Sequence, residues 1–125
     1  MNISVTRAAL LCAVIVAPFS TLTSQQANQL QRIPQFENDE VKVWKTTVLP
    51  NAPLTMHTHE HPRVIIALSG GTIKLVKENG SSELHQWETG KAYWLSSLEG
   101  KERHADANAG DKPIEVMVVE LKNAK

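Results

Sequence analysis

Between residues 40 and 121 the sequence divides into about eight short runs with β character, most of them closed by turn residues. This periodicity constrains the fold more than any other feature. Val41 and Val43 alternate with Lys42 and Lys45, while Trp44 and the Thr46-Thr47 pair add β-propensity. Pro50 and Pro53 punctuate the chain, and further runs cover 55–59 and 64–68 before Gly70-Gly71. Thr72-Ile73-Lys74-Leu75-Val76-Lys77 alternates apolar and polar residues and leads into Asn79-Gly80, a strong hairpin signal. A return strand at 82–87, the Thr89-Gly90 turn and runs at 93–95, 103–107 and 114–121 complete the series. The last run is apolar on both faces, as a central strand is. No segment keeps a helical period over ten residues. The expectation is an all-β sandwich or barrel.

A chain of 125 residues has room for one domain with a real core. Lys and Arg number 13 and so do Asp and Glu, in mixed sign along the chain. That balance gives no basic field for nucleic acid or for an acidic membrane surface. The single cysteine, Cys12, excludes an internal disulfide framework.

The N-terminus carries a targeting pattern. Arg7 precedes an apolar stretch at 8–19, interrupted only by Pro18, and residues 20–27 are small or polar. Such a stretch is too short to span a bilayer and suits the hydrophobic region of a secretion signal. Residues 1–24 are therefore expected to be a signal peptide, 25–38 a linker or arm, and 39–123 the folded domain. The mature chain is expected in the periplasm or outside the cell, with no stable membrane anchor.

The chemistry concentrates in histidine. Met56-His57-Thr58-His59-Glu60-His61 places imidazoles at every second position, which in an extended strand lie on one face. His57 and His59 would share an ion, and His104 is the candidate third ligand. A histidine-rich surface loop with incidental metal affinity is the plainer account of the same residues.

Two stretches, 53–70 and 90–108, resemble the two motifs of the cupin family. His57, His59 and Gly70 match the first; Gly90, Gly100, His104 and Asn108 match the second, with Leu98 where proline is usual. The resemblance runs from about residue 36 to residue 122, nearly the whole mature chain. It implies a cupin double-stranded β-helix (a jelly-roll barrel) in a single domain after the N-terminal signal. It also implies a divalent transition metal (Fe, Mn, Ni, Cu or Zn), a small-molecule ligand, and a homodimer through an added edge strand. Val43-Trp44-Lys45, the run 56–64, Gly90-Lys91-Ala92-Tyr93-Trp94 and the ending 115–122 are similar to a group of small bacterial cupins. Members of that group are often labelled beta-alanine degradation proteins by similarity.

One residue departs from the pattern. Four positions after His59, where metal-binding cupins carry a ligand glutamate, this chain has Arg63, which cannot ligate a cation. Three accounts follow. His61 completes an all-histidine set with His57, His59 and His104; or the latter three act alone with water in the open positions; or Arg63 and the histidines bind a small anion without metal. Arg63, Trp94 and Asn108 are the candidate ligand-binding residues. Trp44, Trp87 and Trp94 also read as core aromatics, and His85 as a strand residue remote from the site. Asp106 and Asn108 read either as orienting His104 or as capping a strand end. Glu60, Glu99 and Glu102 read as acid–base groups or as solvated loop charges. A metal-dependent enzyme and a non-catalytic binding module both remain open.

Overall fold

The computed structural model describes residues 32–124, so the expected signal segment and residues 25–31 of the arm lie outside it. Among the described residues eight strands and one short helix follow in the order β1 (Arg32–Glu37), β2 (Val41–Val48), β3 (Arg63–Ser69), β4 (Gly71–Lys77), β5 (Ser82–Trp87), β6 (Ala92–Leu95), α1 (Ser97–Lys101), β7 (His104–Asn108) and β8 (Ile114–Leu121). A five-stranded sheet runs β1-β2-β8-β3-β6 and a three-stranded sheet runs β5-β4-β7. All strand pairs within them are antiparallel.

Each strand forms where alternation lets one face reach the space between the sheets. β8 is central, as its two-sided apolar character predicts, and lies between β2 and β3. Ile73 and Ile114 are each 1% exposed, and Val48, Ile65, Ala67, Val116 and Val118 join them in the core. Full burial of such a side chain contributes about 1.5–3 kcal/mol. Asn79-Gly80 turns β4 into β5 as its sequence signal requires, with Gly80 at φ 87°. The chain passes between sheets at Gly70, where a Cβ would overlap the carbonyl oxygen of Trp87. Only glycine permits that approach.

Two segments differ from the sequence expectation. Residues 32–37, expected to belong to a linker or arm, form an edge strand paired with β2, so the sheet begins before residue 39. The run 55–59 is not a regular strand. His57 makes a single bridge to His104, and the chain bends through Glu60 and His61 to the fully buried Pro62.

Candidate metal centre

The large sheet supplies one wall of the barrel interior, the small sheet the other, and the 49–62 loop closes across them. His57 and His104 exchange both backbone hydrogen bonds, His57 N–H to His104 O at 2.8 Å and the reverse at 3.0 Å. That pairing puts the two side chains on one side, with ring centroids 4.7 Å apart. His59 is fixed by its N–H donating to the carbonyl of Gly100 in α1 at 2.8 Å. A Cβ on Gly100 would stand 2.7 Å from the His59 Cβ, so the approach depends on glycine. The His59 ring lies 4.8 Å from His57 and 5.6 Å from His104. Ligating nitrogens of the three rings all fall within 4.8 Å of one another.

The tautomers suit a metal. Nδ1 of His57 lies 2.7 Å from the carbonyl of Thr55, and Nδ1 of His104 lies 2.7 Å from that of Glu102. A carbonyl only accepts, so both Nδ1 atoms donate, and in the neutral ring Nε2 carries the lone pair. Among the described residues, the buried Nε2 of His57 has no hydrogen-bond partner. Such an orphaned lone pair, oriented by a backbone carbonyl behind it, is the outer-shell arrangement of metal-bound histidine. His59 is 9% exposed. Burial first, then the charges of Arg63, His57, His104 and Arg32, hold its pKa at about 2. It is therefore a neutral imidazole, the form that ligates.

Asp106 follows His104 on the same face of β7, with Oδ2 3.5 Å from His57 Nε2. Burial alone would raise its pKa, but His57 and then the His104 and His59 rings bring it below the ordinary value. A carboxylate thus borders the three histidines. The interior cavity holds about 240 Å³ and reaches from these groups down to an apolar floor that includes Ile65, Ile73, Val116 and Val118.

The remaining candidates divide. Arg63 opens β3, is 5% exposed and faces the cavity, with Nη2 beside the position a Gly100 Cβ would take. His61 is half-buried in the bend and lies outside both the histidine group and the cavity lining. The period-two rule fails there because residues 57–62 are not a strand. Trp94 is 56% exposed, on the outer face opposite Val64; Tyr93 and Leu95 are the inward residues of β6. Asn108 ties the end of β7 instead of facing the cavity. Its amide donates to Val48 O at 2.9 Å and Lys112 O at 2.6 Å, and its Oδ1 accepts from Gly110 N at 2.8 Å. Among the carboxylates, Glu99 accepts from Ser96 N and Oγ at 2.6 and 2.8 Å, Glu102 pairs with Lys77 at 3.3 Å, and Glu60 is exposed.

Two cavity residues escaped the sequence reading. His85 shares the inward face of β5 with Trp87 and lines the cavity, as the parity of that strand could have indicated. Arg32, in the segment taken for a linker, also reaches the cavity. No local signal marks it, since its face is set by pairing with Thr46 across the sheet.

No family model matches the sequence, and no curated protein matches it significantly. Solved structures do match. A cupin-domain protein from Bordetella pertussis Tohama I is similar at 25% identity and TM-score 0.63, covering 73% of this chain and 91% of that one. An RmlC-like cupin from Methanocaldococcus jannaschii with a double-stranded β-helix fold is similar at 12% identity and TM-score 0.55, covering 87% and 93%. An RmlC-like cupin from Desulfovibrio desulfuricans is similar at 14% identity and TM-score 0.53, covering 88% and 97%. This chain has the double-stranded β-helix fold of those cupin proteins, with three neighbouring histidines that could hold a metal ion.

Proposed function

We propose that this chain is an exported cupin that binds one divalent transition-metal ion through His57, His59 and His104 and takes up a small oxygen-bearing molecule beside it. The observation that carries the reading is the orphaned Nε2 of His57, held as a lone pair by the Thr55 carbonyl behind Nδ1. Iron, manganese, nickel, copper and zinc all accept imidazole nitrogen. When bound, such an ion would supply Lewis acidity and, for the redox-active metals, one-electron chemistry. The chain's own groups do the rest. The carbonyls of Thr55 and Glu102 orient two of the rings, the Asp106 carboxylate can take a proton beside His57, and the apolar floor limits water. Export is supported by the charged, apolar and small-residue succession of residues 1–24.

A second reading is favoured by one observation. Arg63 is buried where metal-binding relatives place a ligand glutamate, which suits a non-catalytic module for a small anion. Titration of chelator-stripped protein with Mn²⁺, Ni²⁺ or Zn²⁺ separates the two. On the metal reading, each ion that binds raises the melting temperature in proportion to the logarithm of its concentration, and His104→Ala abolishes the effect. Equal, small shifts in both proteins would favour the metal-free module.

A further inference from the structure

Three cationic side chains line the cavity, and they are treated differently by the fold. Lys77 is neutralised by Glu83 at 2.8 Å and Glu102 at 3.3 Å. Arg32 and Arg63 form no ion pair among the described residues, and the Nε of each is buried without a hydrogen-bond partner. Asp106 and Glu120 act on both, and Glu99 on Arg63, without an ion pair to either. Both side chains line the same cavity as the three histidines. Guanidinium stays protonated, and a desolvated cation without a partner is costly to fold around. The same lining carries Asp106 and Glu99, but neither forms an ion pair with the two arginines, which stand over an apolar floor.

We propose that Arg32 and Arg63 together form a carboxylate seat, so that the ligand is a short-chain organic acid. Its carboxylate lies against the two arginines, its hydrocarbon portion on Ile65, Val116 and Val118, and its remaining polar atoms face the histidines. Planar guanidinium presents paired donors that match a carboxylate. A bare oxyanion such as phosphate would leave the apolar floor unused, and a cavity of about 240 Å³ limits the ligand to a few carbons. Because Arg32 sits in β1, that edge strand is part of the binding site as well as of the sheet. The seat rests on the proposed reading of the cavity as a ligand site, but not on the metal.

Calorimetric titration with butyrate, butyramide and inorganic phosphate tests the seat, using chelator-stripped and metal-loaded protein. Butyrate should bind both forms, and butyramide, its uncharged counterpart, should bind at least about tenfold more weakly. Arg32→Gln and Arg63→Gln should each weaken butyrate by about ten- to a hundredfold, the range for hydrogen bonds to charged groups. Because each substitution removes an unpaired charge, the melting temperature should hold or rise. A fall in melting temperature would show that the guanidinium is structural and overturn the seat. So would butyrate binding unchanged in both variants, butyramide binding equal to butyrate, or no heat with butyrate at about 10 mM. Phosphate binding as tightly as butyrate would indicate an adventitious ion only. Loss of metal binding with butyrate binding intact would sink the metal reading and leave the seat standing.

Discussion

Nε2 of His57 and Oδ2 of Asp106 face each other across 3.5 Å, both side chains half-buried at the cavity. The His57 Nδ1 proton is committed to the Thr55 carbonyl, so the carboxylate faces the ring nitrogen that a metal ion would use. A negative charge beside that nitrogen favours a cation bound there. Asp106→Asn removes the negative charge while keeping the shape. We expect it to weaken divalent-metal affinity by about ten- to a hundredfold, the effect usual for an outer partner of a ligand histidine. Competition against a chromogenic chelator measures this, and unchanged affinity would free Asp106 from any part in the site.

The histidines should not be equivalent. His57→Ala and His104→Ala each delete one of the three clustered rings, and bound metal should fall to background in both. His61→Ala should leave metal content at the level of the unaltered chain, since His61 sits in the bend outside the cluster. Metal analysis of the three variants decides between the three-histidine group and the four-histidine set.

His59 makes stability depend on acid. Its folded pKa of about 2 lies below the ordinary 6.5, so the unfolded chain binds the extra proton. The contribution is complete above pH 6.5 and is lost as pH falls from there toward about 2. Between pH 7 and pH 5 the chelator-stripped protein should lose about 2 kcal/mol from this group, and His59→Gln should flatten that slope. Urea unfolding at the two pH values provides the comparison; an identical slope in the variant would contradict it.

Gly100 links the short helix to the site. Alanine there would put a Cβ 2.7 Å from the His59 Cβ and 2.9 Å from its carbonyl oxygen. Backbone must move to accommodate it, so Gly100→Ala should cost about 1–3 kcal/mol of stability. It should also weaken metal binding, because the Gly100 carbonyl holds His59 N–H. Thermal melts paired with a metal titration would show both losses, and a variant as stable and as tight as the parent would mean the helix has another seat.

Much of the fold could be read from local pattern. Alternation placed most strands, Asn79-Gly80 placed a hairpin, and the two-sided apolar run put β8 at the centre. The three clustered histidines were legible because His57, His59 and His104 sit in recognisable spacing, and Arg63 was visible as a substitution in that pattern. What escaped depends on long-range pairing or on strand parity. Arg32 reaches the cavity only because β1 pairs with β2, and nothing in its polar surroundings predicts this. Trp94 faces out and His85 faces in because each follows the parity of its own strand, set by Leu95 and Trp87 respectively. His61 misses the cluster because a bend before Pro62 breaks the period-two rule.

The central claim is that the three clustered imidazoles hold an ion. Elemental analysis of the protein purified without chelators tests it most directly. Close to one equivalent of a single first-row transition metal is expected, lost in His104→Ala. Less than about a tenth of an equivalent of any such metal would contradict it, because a formed three-imidazole site at neutral pH retains its ion through purification.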